Sequence, residues 1–239
     1  MRFNIKEICR KALGPSLRSR IGVINGVMTA DPVCSLTFDD GPDPAWTPKV
    51  LQVLKQYHVR ATFFMVGEGA SAYPDIVEEV AREGHVIGNH SWNHPAFPLI
   101  PLAERWRQIS KCQRAIQPYG FKLFRPPYGM STRITNMEVI LRGYKVIGWS
   151  HTSGDWCESD PRVVAANIVK GVRPGSIILL HDRIFDKGRP IIGPKNSIET
   201  VIDREPMLFA LRELLGRVKG QIEFVTIPAL LQHGNPQRL

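Results

Sequence analysis

The feature that most constrains the fold is an alternation of two hydrophobic periods between Val33 and Ile227. Short apolar runs typical of buried strands alternate with stretches in which apolar residues recur every three or four positions, the period of an amphipathic helix. About seven strand candidates alternate with helices in this way. The pattern predicts an α/β fold of parallel βα units, either a closed barrel or a doubly wound sheet.

The strand candidates are the runs VCSLTF, ATFFMV, HVIGN, FKLF, KVIGW, SIILL and QIEFVTI. The helix candidates between them are TPKVLQVLKQY, PDIVEEVAREG, LAERWRQISKCQRAIQ, TNMEVILRGY, PRVVAANIVKGV and EPMLFALRELLGRV. SIILL is apolar throughout, as expected of a strand covered on both faces. The longest stretch without a predicted element runs from residue 183 to residue 203, and loops of that length often carry function.

The N-terminal residues set the expected domain division. Residues 31–239 are predicted to form one domain, preceded by an extension of residues 1–30. That extension is basic but lacks the continuous apolar run of a secretory signal, and no segment has the apolar length of a membrane span. We therefore expect a cytoplasmic protein, with weak membrane-surface contact through the basic N-terminus as the alternative.

Charge and cysteine usage restrict the classes of partner. The chain has 31 Lys and Arg against 22 Asp and Glu, a formal charge of +9, which favours anionic partners. The basic residues are scattered, and no helix-turn-helix, zinc-finger or basic–aromatic run predicts nucleic-acid binding. The cysteines, Cys9, Cys34, Cys112 and Cys157, are far apart in sequence. Their spacing excludes a CxxC motif and suits a reducing compartment.

Polar and titratable residues follow five of the predicted strands. They are Asp39 and Asp40, His90, Arg125, Asp155 with Trp156, and His181 with Asp182. The carboxyl ends of parallel strands meet at one edge of the sheet, where α/β folds gather their sites. Core packing alone does not explain this placement.

His90 and His94 predict a metal site. A spacing of four would put both imidazoles on one side of a helical turn. With a carboxylate from another strand end, two nitrogens and one oxygen form an open, catalytic type of metal site. Zinc suits this ligand set best, with cobalt, manganese and nickel as alternatives.

Asp39 and Asp40 are adjacent carboxylates that a cation would stabilise. If one of them binds the metal, the other remains close and free to accept a proton from water. Alternatively, one of them caps the helix after the Gly41–Pro42 turn. The residues alone do not decide which aspartate has which role.

The motifs TFDDGP, HSWNH, RPPYG, GDW and LLHD occur in this order. Together they resemble the polysaccharide deacetylase family (the NodB homology domain, carbohydrate esterase family 4), which includes chitooligosaccharide and peptidoglycan deacetylases. The resemblance extends over residues 33–227, nearly the whole chain. It implies a distorted (β/α) barrel of about seven parallel strands, consistent with the strand pattern.

The resemblance also implies roles for individual residues. It implies Asp39 as general base with Arg125 as its partner, and Asp40, His90 and His94 as metal ligands. It implies His181 as general acid, with Asp155 as the residue that orients it. It implies Tyr128 as a backbone N–H donor to the oxyanion, and Trp156 and Leu179 as walls of the acetyl pocket. The sequence departs from many relatives at His151 and Thr152, where they carry an acidic residue.

These residues lead to three functional hypotheses. The first is a metal-dependent hydrolase that removes N-acetyl groups from amino sugars of an oligo- or polysaccharide. The second keeps the mechanism but changes the substrate, to a formyl group or to a lipid-linked amino sugar, whose anionic carrier the +9 charge favours. The third is a carbohydrate-binding protein without catalysis, which the complete set of catalytic residues argues against.

Overall fold

The computed structural model describes residues 21–185, 203–218 and 220–239. The strands are β1 (Ile24–Met28), β2 (Val33–Asp39), β3 (Thr62–Met65), β4 (Val86–Asn89), β5 (Gly120–Phe124), β6 (Lys145–Val146), β7 (His151–Thr152), β8 (Ile177–His181), β9 (Glu223–Phe224) and β10 (Asn235–Arg238). The helices are α1 (Thr47–Gln56), α2 (Gly67–Ala72), α3 (Pro74–Arg82), α4 (Leu102–Ala115), α5 (Arg133–Ile140), α6 (Pro161–Gly171), α7 (Glu205–Arg217) and α8 (Ile227–Leu230). Two 3₁₀ helices span Phe97–Leu99 and Pro127–Gly129.

Seven parallel strands form one curled sheet, a half-barrel, in the order β6-β5-β4-β3-β2-β8-β7. The start of β2 also pairs in parallel with β9. The predicted α/β fold with about seven parallel strands, a distorted barrel, is therefore confirmed.

The two faces of the sheet pack separately because side chains alternate along each strand. Phe38 and Phe63 pack with the helices in one cluster, which also includes the buried Cys34 and Cys112. Phe64, the residue after Phe63 in β3, packs on the other face with residues of β1 and α8. Fully burying an aromatic side chain of this kind stabilises a fold by roughly 1.5–3 kcal/mol.

Several predicted elements differ from the structure. The strand predicted over KVIGW contains only Lys145–Val146, followed by the short β7, and the strand predicted over QIEFVTI contains only Glu223–Phe224. Helix α2 was not predicted, because GEGASA lacks apolar periodicity. Helix α5 begins at Arg133, two residues before the predicted start, because Thr132 and Thr135 form a capping box.

An antiparallel ribbon of β1 and β10 was also not predicted. The backbone oxygen of Ile24 in β1 accepts a hydrogen bond from Gly148 N at 2.8 Å, and Val27 N donates to Gly175 O at 2.9 Å. Strand β1 thus joins the segment after β6 to the segment before β8. It lies within the predicted extension of residues 1–30. The predicted boundary between this extension and the domain of residues 31–239 stays a prediction.

Two other predictions fall wholly or mainly outside the described residues. Residues 1–20, the basis of the expected membrane-surface contact, are not described, and neither is most of the 183–203 loop. Among the helices of the described ranges, none combines the length and the apolarity needed to cross a bilayer.

The strand register brings the predicted site residues to one edge of the sheet. Asp39, at the end of β2, is paired with His181 at the end of β8. On the other side, Phe64 pairs with Gly88 and Asn89 pairs with Phe124, so that His90 and Arg125 follow neighbouring strand ends.

Candidate metal centre and active site

The backbone turns sharply between the two adjacent aspartates. Asp39 ends β2 in extended conformation, whereas Asp40 has a φ of 75°, in the left-handed region. A non-glycine residue pays roughly 1–2 kcal/mol there. Both carboxylates stay near His90 Nε2, at 3.7 Å for Asp39 and 3.3 Å for Asp40. Each also has a partner of its own, Arg125 for Asp39 and His94 for Asp40.

Asp40, His90 and His94 form a buried group of three metal-ligand side chains. Asp40 Oδ1 lies 3.3 Å from His90 Nε2 and 3.2 Å from His94 Nε2. Among the described residues, no donor satisfies Asp40 Oδ1 with a hydrogen bond. Two imidazole nitrogens and a buried carboxylate oxygen at these distances fit a divalent metal ion with open coordination positions.

The tautomer of His90 follows from its second nitrogen. His90 Nδ1 lies 2.8 Å from the backbone oxygen of Arg125. Because a carbonyl oxygen can only accept, Nδ1 carries a proton, and Nε2 is the ring nitrogen that lies towards Asp40. A backbone partner of this kind orients metal-binding histidines.

The predicted helical turn at residues 90–94 is wrong, although the two imidazoles do converge. These residues form no helix, and Ser91 and His94 have φ values of 69° and 59°. Asn89 Oδ1 accepts from Ser91 N, and Ser91 Oγ accepts from His94 N. These bonds stabilise a tight loop that places the two ring centroids 4.9 Å apart.

The electrostatics of this group favour metal-binding protonation states. Burial alone would raise the pKa of Asp40, but the His94 and His90 side chains hold it well below its usual range. Burial lowers the pKa of His94 to about 4, against the opposing effect of Asp40. At neutral pH the carboxylate is therefore ionised and the His94 imidazole is neutral.

Asp39 has a different partner. Its Oδ1 accepts a hydrogen bond from Arg125 Nη1 at 2.7 Å, and both side chains are buried. The same guanidinium donates to Thr37 Oγ1 at 2.8 Å and to Gly148 O at 2.7 Å. Burial lowers the pKa of Arg125, while Asp39 opposes that effect. This charge-assisted hydrogen bond holds the Asp39 carboxylate in place.

His181 and Asp155 form a second polar pair beside Asp39. His181 Nδ1 lies 3.0 Å from Asp155 Oδ1, and His181 N donates to Asp155 Oδ2 at 2.9 Å. Burial lowers the pKa of His181, but Asp155, together with the negative charges of Asp40 and Asp39, raises it to about 9. The imidazole is therefore protonated at neutral pH, as a general acid requires.

The remaining predicted site residues lie at the same edge of the sheet. Tyr128 follows Arg125 with a φ of 57°, and its exposed ring lies 4.4 Å from the His94 ring in an edge contact. Leu179 is buried in β8, and Trp156 is half-buried directly after Asp155. Their predicted oxyanion and acetyl-pocket roles stay predictions.

Three residues of the site, Arg204, Phe185 and Asp182, have no role in the sequence analysis. Arg204 is buried against Asp155, and Phe185 N donates to Asp40 Oδ2 at 3.0 Å. Asp182 accepts from Thr47 Oγ1 at 2.5 Å, and burial raises its pKa to about 7. No sequence pattern marks Arg204 or Phe185, whereas the place of Asp182 after His181 was a usable signal.

Comparison with known proteins identifies the family. The polysaccharide deacetylase profile matches residues 26–147. A peptidoglycan-N-acetylglucosamine deacetylase of Bacillus cereus is 35% identical over 201 residues, 83% of this chain and 68% of the relative. A chitooligosaccharide deacetylase of Azorhizobium caulinodans is 41% identical over 154 residues, 62% of this chain and 72% of the relative.

Comparison with solved structures identifies the same family. A crystal structure of a peptidoglycan N-acetylglucosamine deacetylase superimposes with a TM-score of 0.78 at 30% identity, covering 93% of this chain and 98% of the other. The chain belongs to the polysaccharide deacetylase family. The predicted family, fold and deacetylase class are thereby confirmed.

Proposed function

We propose that the protein is a metal-dependent hydrolase that removes N-acetyl groups from amino sugars of an oligo- or polysaccharide. The observation that carries the proposal is the buried Asp40, His90 and His94 group, with the Asp39–Arg125 and His181–Asp155 pairs beside it. Peptidoglycan and chitooligosaccharides, named for the relatives, are the substrate classes to test.

A divalent ion held by Asp40, His90 and His94 would polarise the acetyl carbonyl and acidify an attacking water. Asp39 takes a proton from the attacking water as general base, and Arg125 holds its carboxylate in place. His181 donates a proton to the departing sugar amine, with Asp155 holding the imidazole. Base and acid are the last residues of two neighbouring strands, β2 and β8.

Three residues complete the proposal around the acetyl group. The backbone N–H of Tyr128 is a donor to the oxyanion, where a single such donor is worth about 10²–10³ in rate. Trp156 and Leu179 form the walls that receive the methyl group. These roles are supported by the positions of Tyr128 and Trp156 after strand ends and of Leu179 two residues before His181 in β8.

Zinc is the proposed ion because it suits two imidazoles and one carboxylate, with cobalt, manganese and nickel as alternatives.

The substrate is an N-acetylated saccharide, and the names of the relatives favour it over a formylated or lipid-linked one. A role limited to carbohydrate binding is disfavoured, since the acid, base and ligand residues are all present. A cytoplasmic location remains part of the proposal.

The test is acetate release from N-acetylglucosamine oligomers and from peptidoglycan by the metal-loaded protein, with formate measured in parallel. Asp39→Asn should lower turnover by about 10³-fold or more while metal content is unchanged. Asp40→Asn should lower metal content itself. Fully metallated wild-type protein that releases no acetate from any amino sugar would overturn the proposal, and metal loss in Asp39→Asn would overturn the division of roles.

A further inference from the structure

We propose that Arg204 is a positioning residue for the general acid, acting on His181 through the Asp155 carboxylate. Asp155 Oδ1 accepts from His181 Nδ1 at 3.0 Å and from Ser153 Oγ at 2.7 Å. Asp155 Oδ2 accepts from His181 N at 2.9 Å and from Arg204 Nη1 at 3.4 Å. Arg204 thus binds the second oxygen of the carboxylate whose first oxygen binds the imidazole. The inference rests on the proposed function, in which His181 is the acid.

The same guanidinium nitrogen also fixes the main chain of Asp155. Arg204 Nη1 donates to the backbone oxygen of Asp155 at 3.1 Å. Arg204 directly precedes α7, and its own backbone oxygen accepts from Leu208 N at 2.9 Å in the first turn of that helix. The beginning of α7 is therefore connected through one side chain to both the backbone and the carboxylate of Asp155.

Burial makes an arginine at this position costly. The side chains of Arg204 and Asp155 both have 0% exposure. Removing a guanidinium from water is unfavourable even after relaxation, and burial lowers the pKa of Arg204. An apolar side chain of similar volume would fill this space without that cost. Packing alone therefore does not explain the arginine, whereas control of the Asp155 carboxylate does.

Loss of the guanidinium would leave Asp155 Oδ2 with the His181 amide as its remaining donor among those described above. The carboxylate could then rotate about its terminal torsion, and the bond from Oδ1 to the His181 imidazole would weaken. Catalytic groups must be held within about 0.5 Å of their productive position. Arg204 therefore affects the step in which His181 gives its proton to the leaving group.

Leaving-group dependence separates this role from general stabilisation. A sugar amine must be protonated as it departs, whereas the nitrophenolate of 4-nitrophenyl acetate departs without a proton. Arg204→Met should lower kcat on N-acetylglucosamine oligomers by about 10- to 100-fold and change the aryl ester rate by less than about threefold. His181→Ala should show the same split with a larger amplitude, whereas Asp39→Asn should slow both substrates.

A spectroscopic readout does not depend on turnover. The Nδ1–H proton of His181, identified by its loss in His181→Ala, resonates downfield while it is hydrogen-bonded to Asp155. In metal-loaded Arg204→Met this resonance should move upfield or broaden, and in Arg204→Lys, which keeps a cation, the wild-type signal should be partly restored. An unchanged resonance in Arg204→Met would overturn the proposal.

The matched control is Arg217→Met, at the other end of α7, where the arginine is exposed and paired with Glu213. It should leave both substrates and the His181 resonance unchanged. Equal slowing of amide and ester in folded, metal-loaded Arg204→Met would overturn the proposal. If Arg204→Met does not fold, Arg204→Lys is measured against wild type in the same two assays. If wild-type protein deacetylates nothing, the proposed function fails and the resonance still decides the coupling of Arg204 to His181.

Discussion

At the residue scale, the site depends on giving chemically identical side chains different surroundings. Asp39 lies against a buried arginine, and Asp40 lies against two imidazoles, although the residues are adjacent in sequence. The same holds for the histidines: His94 has its pKa lowered to about 4 and His181 has its pKa raised to about 9. Opposite shifts of this kind are the usual means by which one site contains both a ligand and an acid.

Asp155→Asn should move the alkaline limb of the activity profile. Against the opposing effect of burial, Asp155 and, to a smaller extent, Asp40 and Asp39 raise the pKa of His181 to about 9. A general acid must be protonated, so wild-type kcat/KM should fall as pH rises through about 9. Without the carboxylate the imidazole loses its proton at lower pH, and the fall should begin earlier. The measurement is the pH dependence of kcat/KM on an N-acetylated oligomer.

Asp160→Asn is the matched control for that profile, because it removes the same charge from an exposed N-cap of α6. Its profile should coincide with that of the wild type. An alkaline limb that stays in place in Asp155→Asn would show that His181 does not depend on this carboxylate.

His85 should make the protein sensitive to mild acid. It is buried, accepts a hydrogen bond from Ala61 N, and lies near Glu83 and Arg60. Burial lowers its pKa to about 4, whereas the unfolded chain takes up the proton near pH 6.5. Stability is therefore unaffected above pH 6.5 and falls as pH decreases from 6.5 to 4, by up to about 3 kcal/mol.

His85→Asn tests this linkage, because an asparagine oxygen can still accept from Ala61 N but does not titrate. Urea unfolding at several pH values should show a wild-type stability that decreases more steeply than that of the variant between pH 6.5 and 4. Parallel pH dependences for the two proteins would contradict the assignment.

At the scale of elements, the chain after β8 is part of the metal-ligand geometry. Phe185 N donates to Asp40 Oδ2 at 3.0 Å, which orients Oδ1 towards the histidines. The Phe185 ring lies 6.1 Å from the His94 ring, centroid to centroid. Strand β8 therefore ends at the proposed acid, His181, and leads to a donor for the carboxylate of the proposed ligand Asp40.

Phe185→Pro removes that N–H and should weaken zinc binding by about tenfold, the lower range for lost partners of metal ligands. Phe185→Ala keeps the N–H and removes the ring, so it separates the hydrogen bond from packing. The measurement is the zinc dissociation constant by calorimetry or chelator competition. Equal affinities for the Pro variant and the Ala variant would show that the backbone hydrogen bond has no effect.

At the scale of the whole molecule, the sequence predicts what depends on local pattern and misses what depends on distant backbone contacts. The parallel sheet follows from hydrophobic period, and the strand-end residues follow from motifs. The antiparallel ribbon of β1 and β10 does not follow from local pattern, because NPQR in β10 has neither apolar alternation nor β-forming residues. Arg204 was missed because its partner is 49 positions away and no pattern joins them. The resemblance implies the division of roles between Asp39 and Asp40, whereas the left-handed φ of Asp40 between them is a backbone feature that the sequence does not display.

Removing residues 234–239 should lower both stability and turnover. Strand β1 would lose its partner, at a cost of about 2 kcal/mol for the lost hydrogen bonds, or about 4–8 °C in Tm. Strand β1 also holds Gly148 N, and Gly148 O accepts from Arg125, the partner of Asp39. We therefore expect slower deacetylation well below Tm with metal content retained. Asn235→Ala, which keeps the β10 backbone, should change neither, and full activity of the truncated protein would contradict the connection.

The ribbon of β1 and β10 also brings Val23 and Leu239 next to each other. Val23 and Leu239 exchange backbone hydrogen bonds of 3.3 and 3.1 Å, so a connector of a few residues would join them without disturbing β1 or β10. New termini could then be opened in the irregular segment at 158–160, which lies between Asp155 and α6. In such a circular permutant Asp155 and His181 would stand at opposite ends of the reading order, although the folded molecule would still hold them side by side.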